Sequence, residues 1–155
     1  SLVGGTPRFI NQTDWSHGVD IKDFNDFVNK LFKDYKSTMI NFYTLQLMHS
    51  KHSKLLIKKL KDMNDEVNAP DVKSLQLSLD ILLNNDLRDD INKINHQTLL
   101  IVGEKDRLTP KSASMWLESH LKQAQLKIIQ GASHIPFLSH PDDFFDHLDQ
   151  FLLAA

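Results

Sequence analysis

The sequence predicts an α/β fold in which a parallel strand–helix–strand–helix unit follows a separate helical layer, and three observations carry that expectation. Thr98-Leu99-Leu100-Ile101-Val102 is a short, continuous apolar run with β-branched residues, the pattern of a strand buried on both faces. Leu126-Lys127-Ile128-Ile129 reads as a second strand. A helix over 112–121, entered through Pro110, lies between them, and an amphipathic helix over 142–153 follows Pro141. Upstream, from Asp20 to Asn85, Gly and Pro are almost absent and apolar residues recur at helical spacing.

The helical region divides into four. Phe24, Phe27, Val28, Leu31 and Phe32 make one stripe, and Met39, Phe42, Tyr43, Leu45, Gln46 and Met48 a second. Leu55, Leu56, Leu60 and Met63 make a third; Leu75, Leu79, Leu82 and Leu83 a fourth. Asp20 and Ser50 suit the N-caps of the first and third, because a short oxygen-bearing side chain satisfies orphan N–H groups there. Ala69-Pro70-Asp71 separates the third from the fourth. The expected organisation is an entry segment over 1–19, a helical cap over 20–90 and a core segment over 91–155.

Composition narrows the function. The chain has 155 residues, a net charge of −2 and no cysteine, so neither nucleic-acid affinity nor thiolate chemistry is called for. No run approaches the ~18 apolar residues of a membrane span. The expected compartment is the cytoplasm. No phosphate-cradling Gly-rich loop or dinucleotide fingerprint occurs, and the eight histidines match no metal-ligand pattern such as H-E-x-x-H, so no cofactor or metal is expected. Ser1-Leu2-Val3 reads as the tail of a strand, which predicts that the chain is a fragment of a larger protein.

The chemistry is expected at Asp106 and His134. Each follows a predicted strand, where open α/β sheets place their active groups. A lone acid after a strand commonly caps a turn, and a lone loop histidine commonly does nothing; together they supply a general base and the group that orients it. The nucleophile such a pair would serve is not evident, since no G-x-S-x-G stretch occurs. Ser133 adjoins His134 but cannot easily aim its hydroxyl at the neighbouring ring.

Val102-Gly103-Glu104-Lys105-Asp106-Arg107-Leu108-Thr109-Pro110, with Gly131-Ala132-Ser133-His134-Ile135-Pro136-Phe137 and Ser139-His140-Pro141-Asp142, resembles the C-terminal part of α/β-hydrolases. The resemblance implies that Asp106 and His134 are the second and third members of a Ser…Asp…His triad. Thr6-Pro7-Arg8-Phe9, Trp15, Asp34-Tyr35-Lys36, Leu79-Asp80-Ile81-Leu82 and Asp86-Leu87-Arg88 are similar to the cap of one subgroup, the pimeloyl-[acyl-carrier protein] methyl ester esterases of biotin synthesis. That implies a serine carboxylesterase acting on the methyl ester of a carrier-bound pimeloyl chain. Dehalogenases and C–C hydrolases share the same triad words.

Two features of the cap bear on partners. Lys51, Lys54, Lys58 and Lys61 share one helix face. Such a stripe is commonly a solvated face; within the resemblance, Lys54 and Lys58 fall where the subgroup meets its acidic acyl carrier protein. Phe42 and Met48 belong to a stripe that is either plain core or the roof of an acyl channel, with Trp15 at its entrance. The alternative to an esterase fragment is a non-catalytic, self-associating or carrier-binding module; a serine elbow upstream in the gene would mark the esterase, and a clean monomer by light scattering at high concentration would count against self-association.

Overall fold

The computed structural model describes residues 1–47, 53–66 and 68–154. The elements run β1 (Leu2–Val3), α1 (Ile21–Lys33), α2 (Tyr35–Gln46), α3 (Ser53–Glu66), α4 (Val72–Asn84) and a 3-10 turn over Arg88–Lys93. There follow β2 (Thr98–Gly103), α5 (Lys111–His120), β3 (Ala124–Ile129), α6 (Pro136–Ser139) and α7 (Pro141–Ala154). The strands form one parallel sheet in the order β1-β2-β3, with Leu100 beside Leu2 on one side and Leu126 on the other.

Every residue of β2 is buried because the strand has a neighbour at each edge and a helical layer on each face. Leu99 and Ile101 pack with Ile129, Ala132 and Phe144, on the α7 side. Leu100 turns the other way onto Ile91, Leu117 and Leu121. This two-sided burial is why the run is apolar throughout instead of alternating.

The cap has its own core, in which Ile10, Phe24, Leu31 and Leu79 are buried together with Phe27, Val28, Met39 and Leu83 against them. Asp20 caps α1 by accepting from Lys22 N, as expected. Asp34 caps α2 through Ser37 N and Asp71 caps α4 through Ser74 N, neither of which was anticipated. Ser50 lies outside the described residues. Phe32, expected on the buried stripe of α1, is exposed. In α2 the expected stripe is covered in part: Gln46 is buried, Met39, Phe42 and Tyr43 are half-buried and Leu45 is exposed, while Thr38, off the stripe, is buried. Leu45 is uncovered because it borders a cavity.

The two ends of the cap are clasped where they meet the core. Leu87 N donates to Pro7 O at 2.9 Å, Arg8 pairs with Asp86, and Arg88 bonds Asp86 and Asp14, each at 2.7 Å. Arg88 also lies over the Trp15 ring, 5.5 Å from its centroid. The Arg88 hydrogen bond, with burial opposing and Arg8 assisting, holds the Asp86 carboxyl well below the usual carboxylate range. A carboxyl lowered on folding stabilises the fold above its unfolded pKa and loses that contribution as the pH falls through the folded one, so the clasp is intact at neutral pH.

Among the described residues no helix is long and apolar enough to cross a membrane, and no group of three His, Asp or Glu side chains could hold a metal ion.

Gly103 ends β2 under the loop that follows β3. A Cβ there would lie 2.1 Å from Ser133 O and 2.5 Å from Ala132 O, both backbone atoms with little room to retreat. Gly103→Ala is expected to cost about 3 kcal/mol through overpacking, read as a lower denaturation midpoint. A change below about 0.5 kcal/mol, the range of an ordinary surface substitution, would show that the loop yields freely.

Candidate active site

The β2–β3 register brings the two loops together. Glu104 N donates to Ile129 O at 3.0 Å and Lys105 N to Ala132 O at 2.9 Å, so the backbone after β2 is bonded to the backbone after β3. Gly131, with φ of 75°, turns the second loop, and its N–H donates to Glu104 Oε2 at 3.0 Å. His134 is thereby carried over the end of β2.

Asp106 Oδ2 lies 2.8 Å from His134 Nδ1. The Asp106 side chain is fully buried, while that of His134 is 26% exposed. The carboxylate is completely satisfied. Oδ1 accepts from Leu108 N at 2.9 Å and Thr109 N at 3.0 Å; Oδ2 accepts from Thr109 Oγ1 at 2.9 Å as well as from His134. Four donors match the roughly four acceptor sites of a carboxylate, which is what burying one requires. The same bonds fix its orientation. With Nδ1–H donating to Asp106, Nε2 keeps its lone pair and is the nitrogen able to take a proton.

Gly4 lies directly beneath the ring, at φ 55°. A Cβ on it would come 3.0 Å from His134 Cε1 and 3.1 Å from Nδ1. Its N–H donates to Ile101 O at 2.9 Å, continuing the β1–β2 ladder past Val3.

Above the imidazole, a cavity of about 330 Å³ opens between core and cap. Its floor includes His134 and Leu108, and its walls include Phe9, Phe24, Phe27 and Phe42. Phe42 and Phe27 meet at 5.3 Å between ring centroids, and Leu45 completes the α2 side. An apolar chamber ending on a base suits an apolar acyl group delivered to a proton-transfer site.

The sequence-derived candidates separate here. Asp106, His134 and Phe42 are brought to one place. Trp15, expected at the entrance, lies elsewhere: it is buried at 2% exposure, donates from Nε1 to Arg8 O at 3.1 Å and meets Trp116 edge-on at 5.4 Å. It joins the cap entry to α5, since a large ring with one donor finds there both apolar cover and an acceptor. Met48 lies outside the described residues, as do Lys51, His49 and His52. Lys54 and Lys58 are exposed on α3. Ser133 is 3% exposed, which leaves no path for an ester to its hydroxyl. Thr109, no site candidate in the sequence, supplies two of the four donors to Asp106. The Asp-x-x-Thr spacing, in which an Asp accepts from the backbone of its own turn, is the signal that could have found it.

The family model described as the alpha/beta hydrolase fold matches residues 17–141. The chain belongs to the α/β-hydrolase family. This α/β-hydrolase chain is 34% identical over 148 residues to the pimeloyl-[acyl-carrier protein] methyl ester esterase of Nitrosomonas europaea, covering 96% of this chain and 59% of that protein. It is 32% identical over 150 residues to the enzyme of the same name from Nitrosospira multiformis, covering 97% and 57%. The chain thus spans less than two thirds of these relatives' length. Among solved structures, an esterase from Exiguobacterium antarcticum superposes with a TM-score of 0.84 at 19% identity, covering 97% of this chain and 55% of that one. A hydrolase from Oleispira antarctica gives 0.80 at 19%, covering 99% and 55%. These two likenesses speak for the fold.

Asp106→Asn tests the pairing directly. Leu108 N and Thr109 N hold the amide oxygen at the Oδ1 position, so the amide turns its NH2 to His134 and the Nδ1–H tautomer loses its acceptor. Imidazole ¹⁵N spectra are expected to show the proton moving from Nδ1 to Nε2. In an active enzyme kcat should fall by about 10⁴. An unchanged tautomer would mean that Asp106 does not orient the ring.

Proposed function

We propose that this chain carries the base, its orienting acid and the acyl chamber of a serine carboxylesterase, with the nucleophile supplied by sequence outside these 155 residues. The observation that carries the reading is the 2.8 Å contact between His134 Nδ1 and a fully buried Asp106 at the floor of an apolar cavity. His134 Nε2 takes the serine proton as Oγ attacks the ester carbonyl. The protonated imidazole then gives that proton to the departing alkoxide, which leaves as an alcohol. Water repeats the sequence on the acyl-enzyme: His134 removes its proton, the acid is released and the serine is restored. Asp106 holds the ring and stabilises its positive form throughout.

The substrate proposed is the methyl ester of a carrier-bound pimeloyl chain, on the strength of the two relatives' names and the Phe-lined chamber. Phe42 roofs the chain. Lys54 and Lys58, exposed on α3, offer a positive face to an acidic acyl carrier protein, where charge attraction raises the encounter rate. A cytoplasmic setting accords with this substrate.

A fluorophosphonate probe, applied to the native polypeptide containing these residues and read by peptide mass, tests the reaction. The expected result is one labelled serine, outside residues 1–155, whose labelling is lost in His134→Ala. An unlabelled native protein would overturn the serine mechanism; a labelled serine within residues 1–155 would overturn the assignment of the nucleophile. Lys54→Glu with Lys58→Glu tests docking. KM for the carrier-bound ester should rise about ten-fold with kcat and free-ester hydrolysis unchanged, about 1.4 kcal/mol of binding. Equal effects on carrier-bound and free esters would refute a docking role.

A further inference from the structure

Thr109 is buried, and among the described residues its hydroxyl has two partners: Asp106 Oδ2 at 2.9 Å and His134 Nδ1 at 3.3 Å. The oxygen it meets is the one that accepts from His134, 2.8 Å from Nδ1, whereas the two backbone donors of the turn go to Oδ1. Hydroxyl, ring nitrogen and carboxylate oxygen thus form a closed triangle. A hydroxyl has one proton to give, and the charged acceptor claims it. Oγ1–H therefore donates to Oδ2, which leaves an Oγ1 lone pair as a second, longer acceptor for Nδ1–H. Gly4 leaves room for both groups: a Cβ there would come 3.3 Å from Thr109 Oγ1 and 3.1 Å from His134 Nδ1.

We propose that Thr109 is a positioning residue for the proton transfers at His134: its hydroxyl draws off part of the negative charge that Asp106 presents to the ring, so that the imidazolium gives up its Nε2 proton more readily. The inference rests on the Asp106–His134 pair being the base of the esterase described above. It goes beyond that reading by assigning control of the base to a residue outside the cavity lining. A donor to a carboxylate stabilises the charged form, and a second donor on one oxygen weakens what the first receives. A base that holds its proton too firmly is slow to return it, so the hydroxyl favours the step in which the leaving alkoxide is protonated. The other charged residues about His134 are Asp23 of α1 and Arg107, which line the same cavity, and Glu104, bonded to Gly131 N in the loop that carries the ring. All three stay the same when Thr109 is changed, so a difference between parent and variant reports the hydroxyl.

The test compares Thr109→Val, which keeps the shape of the side chain and removes its hydroxyl, with Thr109→Ser, which keeps the hydroxyl, in the native polypeptide containing these residues. Imidazole ¹⁵N and ¹H spectra are recorded against pH. In Thr109→Val the midpoint of the His134 titration should rise by about half a pH unit and the Nδ1–H resonance should move downfield, because Oδ2 then gives its full charge to the ring. Thr109→Ser should match the parent. The acid limb of kcat/KM for a methyl ester should move up by the same amount, with KM on the alkaline plateau unchanged. A midpoint that stays in place or falls in Thr109→Val overturns the proposal, as does a shift that persists in Thr109→Ser. Thr109→Ala removes the hydroxyl without adding bulk, carries the same expectations and replaces the valine variant should that one unfold. Titration needs no turnover, so a raised midpoint in a protein that hydrolyses no ester would retain this inference and refute the esterase reading. Ester hydrolysis with an unmoved midpoint would do the reverse.

Discussion

The pairing of β2 with β3 in parallel register is the constraint on which the site depends. Asp106 and His134 are 28 residues apart and lie on separate loops. Neither loop has regular structure of its own at the position of the functional side chain. They meet because six successive residue pairs, from Thr98 with Ala124 to Gly103 with Ile129, bring both strands to the same height at their C-terminal ends. A one-residue slip would turn the side chains of β3 to the opposite face and separate acid from base. The buried alternation of Leu99, Leu100 and Ile101 between two helical layers prevents that slip, so apolar packing fixes a polar geometry.

The acid illustrates how burial and hydrogen bonding balance. A carboxylate at this depth would be costly alone, yet Asp106 has four donors, three of them from the Leu108–Thr109 turn immediately after it. The turn holds the acid, and the acid holds the imidazole. Orientation therefore passes outward from the sheet to the exposed ring through groups with little freedom to rotate, the kind of support that keeps a reactive group within tenths of an ångström of its working position.

Much of this was legible in the sequence because it is encoded locally. The continuous run at 98–102 declares a two-sided strand, Asp20 announces a helix start, and Asp106 and His134 stand just beyond strand ends. The rest depends on residues distant in sequence. Trp15 looks like an entrance residue until Trp116 is seen beside it, and a single chain offers no sign that those rings meet. Leu45 looks like core, but the space beside it is a cavity that only the α1, α2 and core-loop arrangement creates. Gly103 is simply the end of a strand until Ser133 O is found against it. Arg8 and Asp86 lie 78 positions apart, and no periodicity connects them.

The route of the chain between β1 and β2 has a further consequence. Val3 and Ile101 are neighbours in the sheet, so everything from the end of β1 to the start of β2 leaves and returns through one narrow gap, tied by Arg8, Asp86 and Arg88. The helices in between make up a large detour whose two feet stand side by side. Such a module can be exchanged for one of different length or shape while the strands beneath keep their places. The helices above His134 can thus be altered residue by residue, or replaced wholesale, without touching the contact between Asp106 and His134.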